Sequence, residues 1–221
     1  MLAGWSAAWG YAEWQLAAPN RLVTQWQKRG WADDMAPWGW IYAAYRRAIE
    51  VNPANADYPA QMGGIRMWRA HQARLFPGAM RAEAAEAVIW YRRALRLRPA
   101  SGALWAHLAG ARYIAQGFDD GVSAAIERAA ALAPWDVTVQ RRLSGIGIPN
   151  WSQTPESDRS RILAVVRNAM RLPESANAVD EYVIDLAIEY NWLGQLEPLL
   201  VNDRQRAVLA RKLEHRNRPR T

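Results

Sequence analysis

A nine-residue phrase recurs in this chain and constrains its fold more than any other feature. Tyr45-Arg-Arg-Ala48-Ile49-Glu-Val51-Asn-Pro53 returns as Tyr91-Arg-Arg-Ala94-Leu95-Arg-Leu97-Arg-Pro99. Its skeleton returns again in Ile126-Glu-Arg-Ala129-Ala130-Ala-Leu132-Ala-Pro134. In each copy an apolar residue at i is followed by small or apolar residues at i+3 and i+4, a spacing that places all three on one helix face. The small alanine lets a neighbouring helix approach, and the larger residue fills the gap beside it. The proline then ends the helix, because it lacks an N–H and restricts the residue before it. Trp105 and Leu108 open the helix that follows Pro99. A chain repeated in this way is expected to be a stack of helical hairpins, in which each unit contacts only its neighbours.

The order of residues resembles the tetratricopeptide pattern, whose period is about 34 residues. Trp105-x-x-Leu108-Ala109 supplies its first half and Ala87-x-x-x-Tyr91-x-x-Ala94-x-x-x-x-Pro99 its second; Met62-Gly63 holds the Leu-Gly place of an earlier copy. Pro99 and Pro134 lie 35 residues apart, but Pro53 and Pro99 lie 46 apart. The roughly dozen extra residues, beyond the usual period, are expected in a loop around Leu75-Phe-Pro77-Gly78. A degenerate fourth copy runs through Val166, Ala169, Met170 and Leu172 to Pro173. Within the superfamily the chain resembles the VpsP-type proteins associated with bacterial exopolysaccharide biosynthesis. The extra features that carry this are Leu132-Ala-Pro134-Trp135, Val139-Gln140 and Trp151.

The resemblance implies an all-α, right-handed superhelical stack with a C-terminal helical cap. It also implies a non-catalytic protein–protein interaction scaffold, working with polysaccharide synthesis or export machinery. That group sits in the cell envelope at the inner membrane, with its repeats outside the cytoplasm, so the periplasmic face is the implied location. The alternative is a cytoplasmic adaptor that binds peptides or anionic ligands. In a repeat stack the first helix of each hairpin lines a groove. Repeat alignment places Asp57, Met67, Trp68, Ala106 and Tyr113 near that face, with Arg112 and Arg141 to supply charge.

The expected organisation is a Trp-rich helical segment over 1–37, repeats over 38–148, a degenerate repeat with capping helices over 149–203 and a basic tail over 204–221. Helices are expected near 2–17, 21–30, 38–51, 56–72, 82–97, 102–116, 120–132, 136–144, 158–171 and 177–191, then over 193–213 with breaks. Seven of thirteen tryptophans fall in the first forty residues. Leu2, Trp5, Trp9, Ala12 and Leu16 form an apolar stripe that suits a membrane interface and equally suits docking on the first repeat as a cap. No basic stretch precedes it and Glu13 interrupts it, so no standard signal peptide is visible. Trp90, Trp135, Trp151 and Trp192 are expected to fill gaps between helices.

The formal charge is +7, and residues 204–221 hold seven basic residues against one acid, Glu214. Such a tail suits phosphate or another anionic partner, or is simply solvated. It lacks interleaved aromatics, and no nucleic-acid partner is expected.

The residue types that carry chemistry are sparse. With no cysteine there is no disulfide, cysteine nucleophile or thiolate metal site. His71 and His107 have no second ligand at metal spacing, so neither a metal nor a cofactor is expected. Asp33-Asp34 and Asp119-Asp120 are adjacent pairs where helix N-caps are expected. Gly145-Ile-Gly147 lacks the preceding strand and third glycine of a nucleotide loop. The sequence reads as a binding protein, not an enzyme.

Overall fold

The computed structural model of the chain describes residues 2–30, 32, 37–172 and 179–217, and within them the side chains of residues 9–216. Every regular element among them is helical. The order is α1 (Leu2–Arg29), α2 (Trp38–Val51), α3 (Asp57–Gln72), α4 (Pro77–Leu97), α5 (Gly102–Gln116), α6 (Asp120–Leu132), α7 (Val137–Gly147), α8 (Glu156–Met170), α9 (Val179–Glu189), α10 (Leu193–Leu196) with a 3-10 turn over Glu197–Leu199, and α11 (Asp203–Asn217). The all-α expectation holds. Asp33-Asp34 and Pro173 lie outside the described residues.

Two stretches differ from expectation for identifiable reasons. The helices expected over 2–17 and 21–30 are a single one, α1, which ends at Arg29 and runs through Pro19. An interior proline costs a helix about 3 kcal/mol. The cost is offset because Ala12 and Leu16 before it and Val23 and Trp26 after it are buried in one apolar cluster. Of the loop expected around Leu75-Phe-Pro77-Gly78, only a short turn over 73–76 is present, holding Leu75 and Phe76. Pro77 begins α4, where its missing N–H is not needed, and the insertion lengthens α4 to 21 residues.

The chain forms two compact units, Met1–Ala100 with Ile114–Gly117, and Ser101–Tyr113 with Phe118–Thr221. In the first unit α1 and α2 are antiparallel: Trp26 meets Trp38 at one end, and Asn20 meets Tyr45 further along. Gly30, with φ of 84°, closes α1 by donating its N–H to Trp26 O at 2.9 Å, a backbone conformation suited to glycine. Helices α3 and α4 are also antiparallel. Gly63 lies against Tyr91, while Arg66 reaches Glu83 at 2.8 Å. A methyl group on Gly63 would sit 2.7–2.9 Å from three atoms of the Tyr91 ring, so the backbone itself supplies the space that this ring fills.

In the second unit α6 and α8 run parallel. Ser123 Oγ donates to Asp158 Oδ2 at 2.5 Å, and four residues on Glu127 pairs with Arg161 at 3.4 Å. Gly147 of α7 packs on Ile162 of α8, and Gly145 of α7 faces the Tyr182 hydroxyl of α9. Asp119 caps α6 by accepting from Val122 N at 2.7 Å. Gly145 and Gly147 lie inside α7.

Equivalent positions of the sequence repeat share one environment. Tyr45, Tyr91, Ile126 and Val166 are buried, as are Ala48, Ala94, Ala129 and Ala169. At the third position Ile49, Leu95 and Met170 are buried and Ala130 is half-buried. Residues 204–217 belong to a docked helix, not to a tail. Arg204 pairs with Asp180 at 2.6 Å and Glu181 at 3.0 Å, and Lys212 pairs with Asp185 at 2.5 Å, all on α9. Arg204 and Lys212 are thus held against acids of α9, and Arg206 pairs with Asp203 of its own helix.

His107 of α5 is largely buried, and burial, followed by the nearby Arg142 charge, lowers its pKa from 6.5 to about 4 despite the opposing Asp136. The unfolded chain binds this proton near pH 6.5 and the folded chain only near pH 4. Stability is therefore full above pH 6.5 and falls with pH across that window, by roughly 2–3 kcal/mol. We expect His107→Gln to flatten that part of the pH dependence. Urea unfolding of both proteins at pH 7 and pH 4.5 measures the difference; equal slopes would mean His107 is solvated in the folded state.

Candidate functional site

The seven groove positions read from the repeat fall in both compact units. Asp57, Met67 and Trp68 belong to the first, and Ala106, Arg112, Tyr113 and Arg141 to the second. Asp57 and Trp68 stand eleven residues apart on α3, about 16 Å along its axis. Asp57 is exposed and pairs with Arg98 at 2.9 Å. Met67 is half-buried.

Trp68 is a packing residue. It stacks on Trp26 with ring centroids 6.2 Å apart and planes 8° apart, and it meets Trp38 at 5.8 Å. Arg66 caps this group over the Tyr42 ring at 3.8 Å, and Arg69 lies 5.3 Å over Trp38. Both guanidiniums are held by Glu83.

In the second unit Ala106 is fully buried and presents nothing to a ligand. Arg112 binds Asp119 at 2.6 Å, with its guanidinium pressed against Gly121, where a Cβ would be 2.2 Å from the Arg112 Cζ. Tyr113 donates its hydroxyl to Asn150 Oδ1 at 2.5 Å and packs against Phe118 at 4.9 Å. Arg141 is exposed and lies 5.4 Å over the Tyr182 ring. Arg112, Tyr113 and Arg141 are thus each engaged with neighbours inside their own unit.

The first unit contains a better-defined concavity, a pocket of about 300 Å³. Three segments build it: Trp9 and Glu13 from α1, Asn52 to Ala56 with Tyr58 from the turn into α3, and Leu97 with Arg98 from the end of α4. Trp9 and Glu13, at i and i+4, share one face of α1. Tyr58 donates its hydroxyl to Glu13 Oε1 at 2.8 Å. Burial and that bond both raise the Tyr58 pKa, which keeps the phenol a donor. Asn55 Oδ1 caps the start of α3 by accepting from Asp57 N at 2.9 Å. Trp9 is 54% exposed at the rim, and Asn52 is buried at the turn. Arg98 of this lining is the ion-pair partner of Asp57, one of the expected groove residues.

No family model matches the chain, and no curated protein is significantly similar to it. Among the described residues no three His, Asp or Glu side chains are grouped to hold a metal ion, and no helix is long and apolar enough to cross a membrane.

Of the pocket residues, the sequence singled out Trp9 as part of an apolar stripe; the expected groove residue Asp57 is the ion-pair partner of the lining Arg98. Ala12 and Leu16 of that stripe are buried, whereas Trp9 points outward. The available signal was Glu13, one turn after Trp9 and breaking the stripe. Asn52 and Asn55 around Pro53 read only as turn residues, because the residues that complete the pocket with them, Trp9, Glu13, Leu97 and Arg98, come from α1 and the end of α4.

Proposed function

We propose that the chain is a non-catalytic interaction scaffold of tetratricopeptide type, accessory to the assembly or export of a bacterial surface polysaccharide. The observation that carries the repeat part of this reading is the shared burial of equivalent positions, above all Ala48, Ala94, Ala129 and Ala169. Four separate helices place a small residue where another helix must come close. Parallel packing of α6 and α8, with α7 between them in sequence, accords with stacked hairpins. Exposed large residues such as Trp40, Leu75, Phe76 and Trp135 supply apolar area for partner proteins. The polysaccharide role and the inner-membrane, periplasmic setting rest on the resemblance in residues 132–151.

Cross-linking of the natively expressed protein in cells, followed by fractionation, tests the reading. Recovery from membranes with a polysaccharide polymerase, exporter or glycosyltransferase is the expected result. Recovery from the soluble fraction without any such protein would overturn the polysaccharide role and leave a general adaptor.

A further inference from the structure

We propose that the pocket between Trp9, Asn52 and Arg98 binds a single sugar ring, stacked on the Trp9 indole. This goes beyond the scaffold reading and stands on the pocket alone.

The lining offers four kinds of contact. Trp9 presents a flat aromatic face, and Leu97, 42% exposed, adds an alkyl wall. Glu13 has one carboxylate oxygen engaged by Tyr58 and a second that can accept. Arg98 uses one guanidinium nitrogen on Asp57, leaving further N–H donors. Asn55 is already engaged: its oxygen accepts from Asp57 N, and its side chain, like that of Asn52, bonds Tyr58. Glu13 supplies an acceptor and Arg98 supplies donors in the lining that holds the Trp9 indole.

Charge narrows the ligand. Arg98 opposes a cation, while Glu13 opposes an anion. Neither sign dominates, as suits a neutral molecule that carries both O–H donors and hydroxyl acceptors. A pyranose has that character, together with an apolar C–H face for the indole. A volume near 300 Å³ lies at the lower end for small-molecule sites, which fits one ring better than a chain segment.

The full-length protein should be probed on a glycan array carrying hexoses, N-acetylhexosamines and uronates, with methyl glycosides as solution competitors. We expect at least one glycan class to bind, and its methyl glycoside to compete. Trp9→Ala and Glu13→Gln should each weaken binding at least about tenfold, a difference of about 1.4 kcal/mol. Both side chains are exposed, so helical circular dichroism should be unchanged. Trp135→Ala, which removes an exposed indole from the other unit, should leave binding intact. No bound glycan, or equal binding by Trp9→Ala, overturns the assignment. Competition only by polymers excludes the single-ring site. Binding of an oligolysine peptide instead, lost in Glu13→Gln, would show a cation site and likewise overturn it.

Discussion

Ala94→Arg is expected to destabilise the protein by about 4 kcal/mol or more, from overpacking together with a stranded charge. Ala94 is 0% exposed on α4, in the turn following Tyr91, whose ring already fills the space over Gly63. An arginine there must displace close-packed atoms, and among the described residues of this unit no carboxylate is buried to receive its guanidinium. Such a loss is a large part of the 5–15 kcal/mol that usually holds a domain folded. The control is Ala85→Arg, on the exposed side of the same helix, which should change stability by no more than about 0.5 kcal/mol. Denaturant unfolding followed by circular dichroism measures both. A near-native midpoint for Ala94→Arg would mean that the repeat register is wrong.

Trp26→Ala should cost about 3–5 kcal/mol, the range for truncating a buried aromatic side chain. Trp26 is 1% exposed and joins three helices at once. Its ring meets Trp38 of α2 at 5.1 Å and stacks on Trp68 of α3. Removing it leaves a cavity and deprives two other indoles of their neighbour, so the near-ultraviolet circular dichroism of the tryptophans should collapse with the stability. Trp14→Ala, which removes an indole that is 71% exposed on α1, should do neither. If Trp26→Ala lost less than about 1 kcal/mol, well below the cavity range, α1 would not be seated on α2 and α3. The N-terminal segment would then be available for the membrane interface that its tryptophans also suit.

The N-terminal tryptophans show where sequence reasoning stops. Their crowding was visible, but their roles were not. Trp26 and Trp38 are packed against Trp68, whereas Trp9, Trp14 and Trp40 are exposed. A helical stripe identifies a face, not the element that covers it. Trp135 makes the same point from the other side. It was expected to fill a gap, yet it is 55% exposed, because it stands in the turn between α6 and α7 where no helix passes over it. Trp192 met the expectation: it is buried, with Trp151 edge-on at 5.1 Å.

The groove residues were chosen by register, and register alone says only which side of a helix a residue occupies. Trp68 and Ala106 proved to be packed, and Arg112 and Tyr113 to be bound by neighbours in their own unit. Arg98 carries no sequence signal beyond its place before Pro99, although it lines the pocket and pairs with Asp57.

By itself the sequence determined the all-helical class, most of the helix boundaries and the burial of the repeated alanines. Those features follow from periodicity and proline stops acting within a few turns of chain. Only the tertiary structure decided that Pro19 lies inside a helix, that residues 204–217 dock on α9 and that Trp9, Asn52 and Arg98 share a pocket. Each of these depends on energies between segments distant in sequence. Burial on both sides of Pro19 outweighs its broken hydrogen bond, and Arg204 and Lys212 find carboxylates on α9.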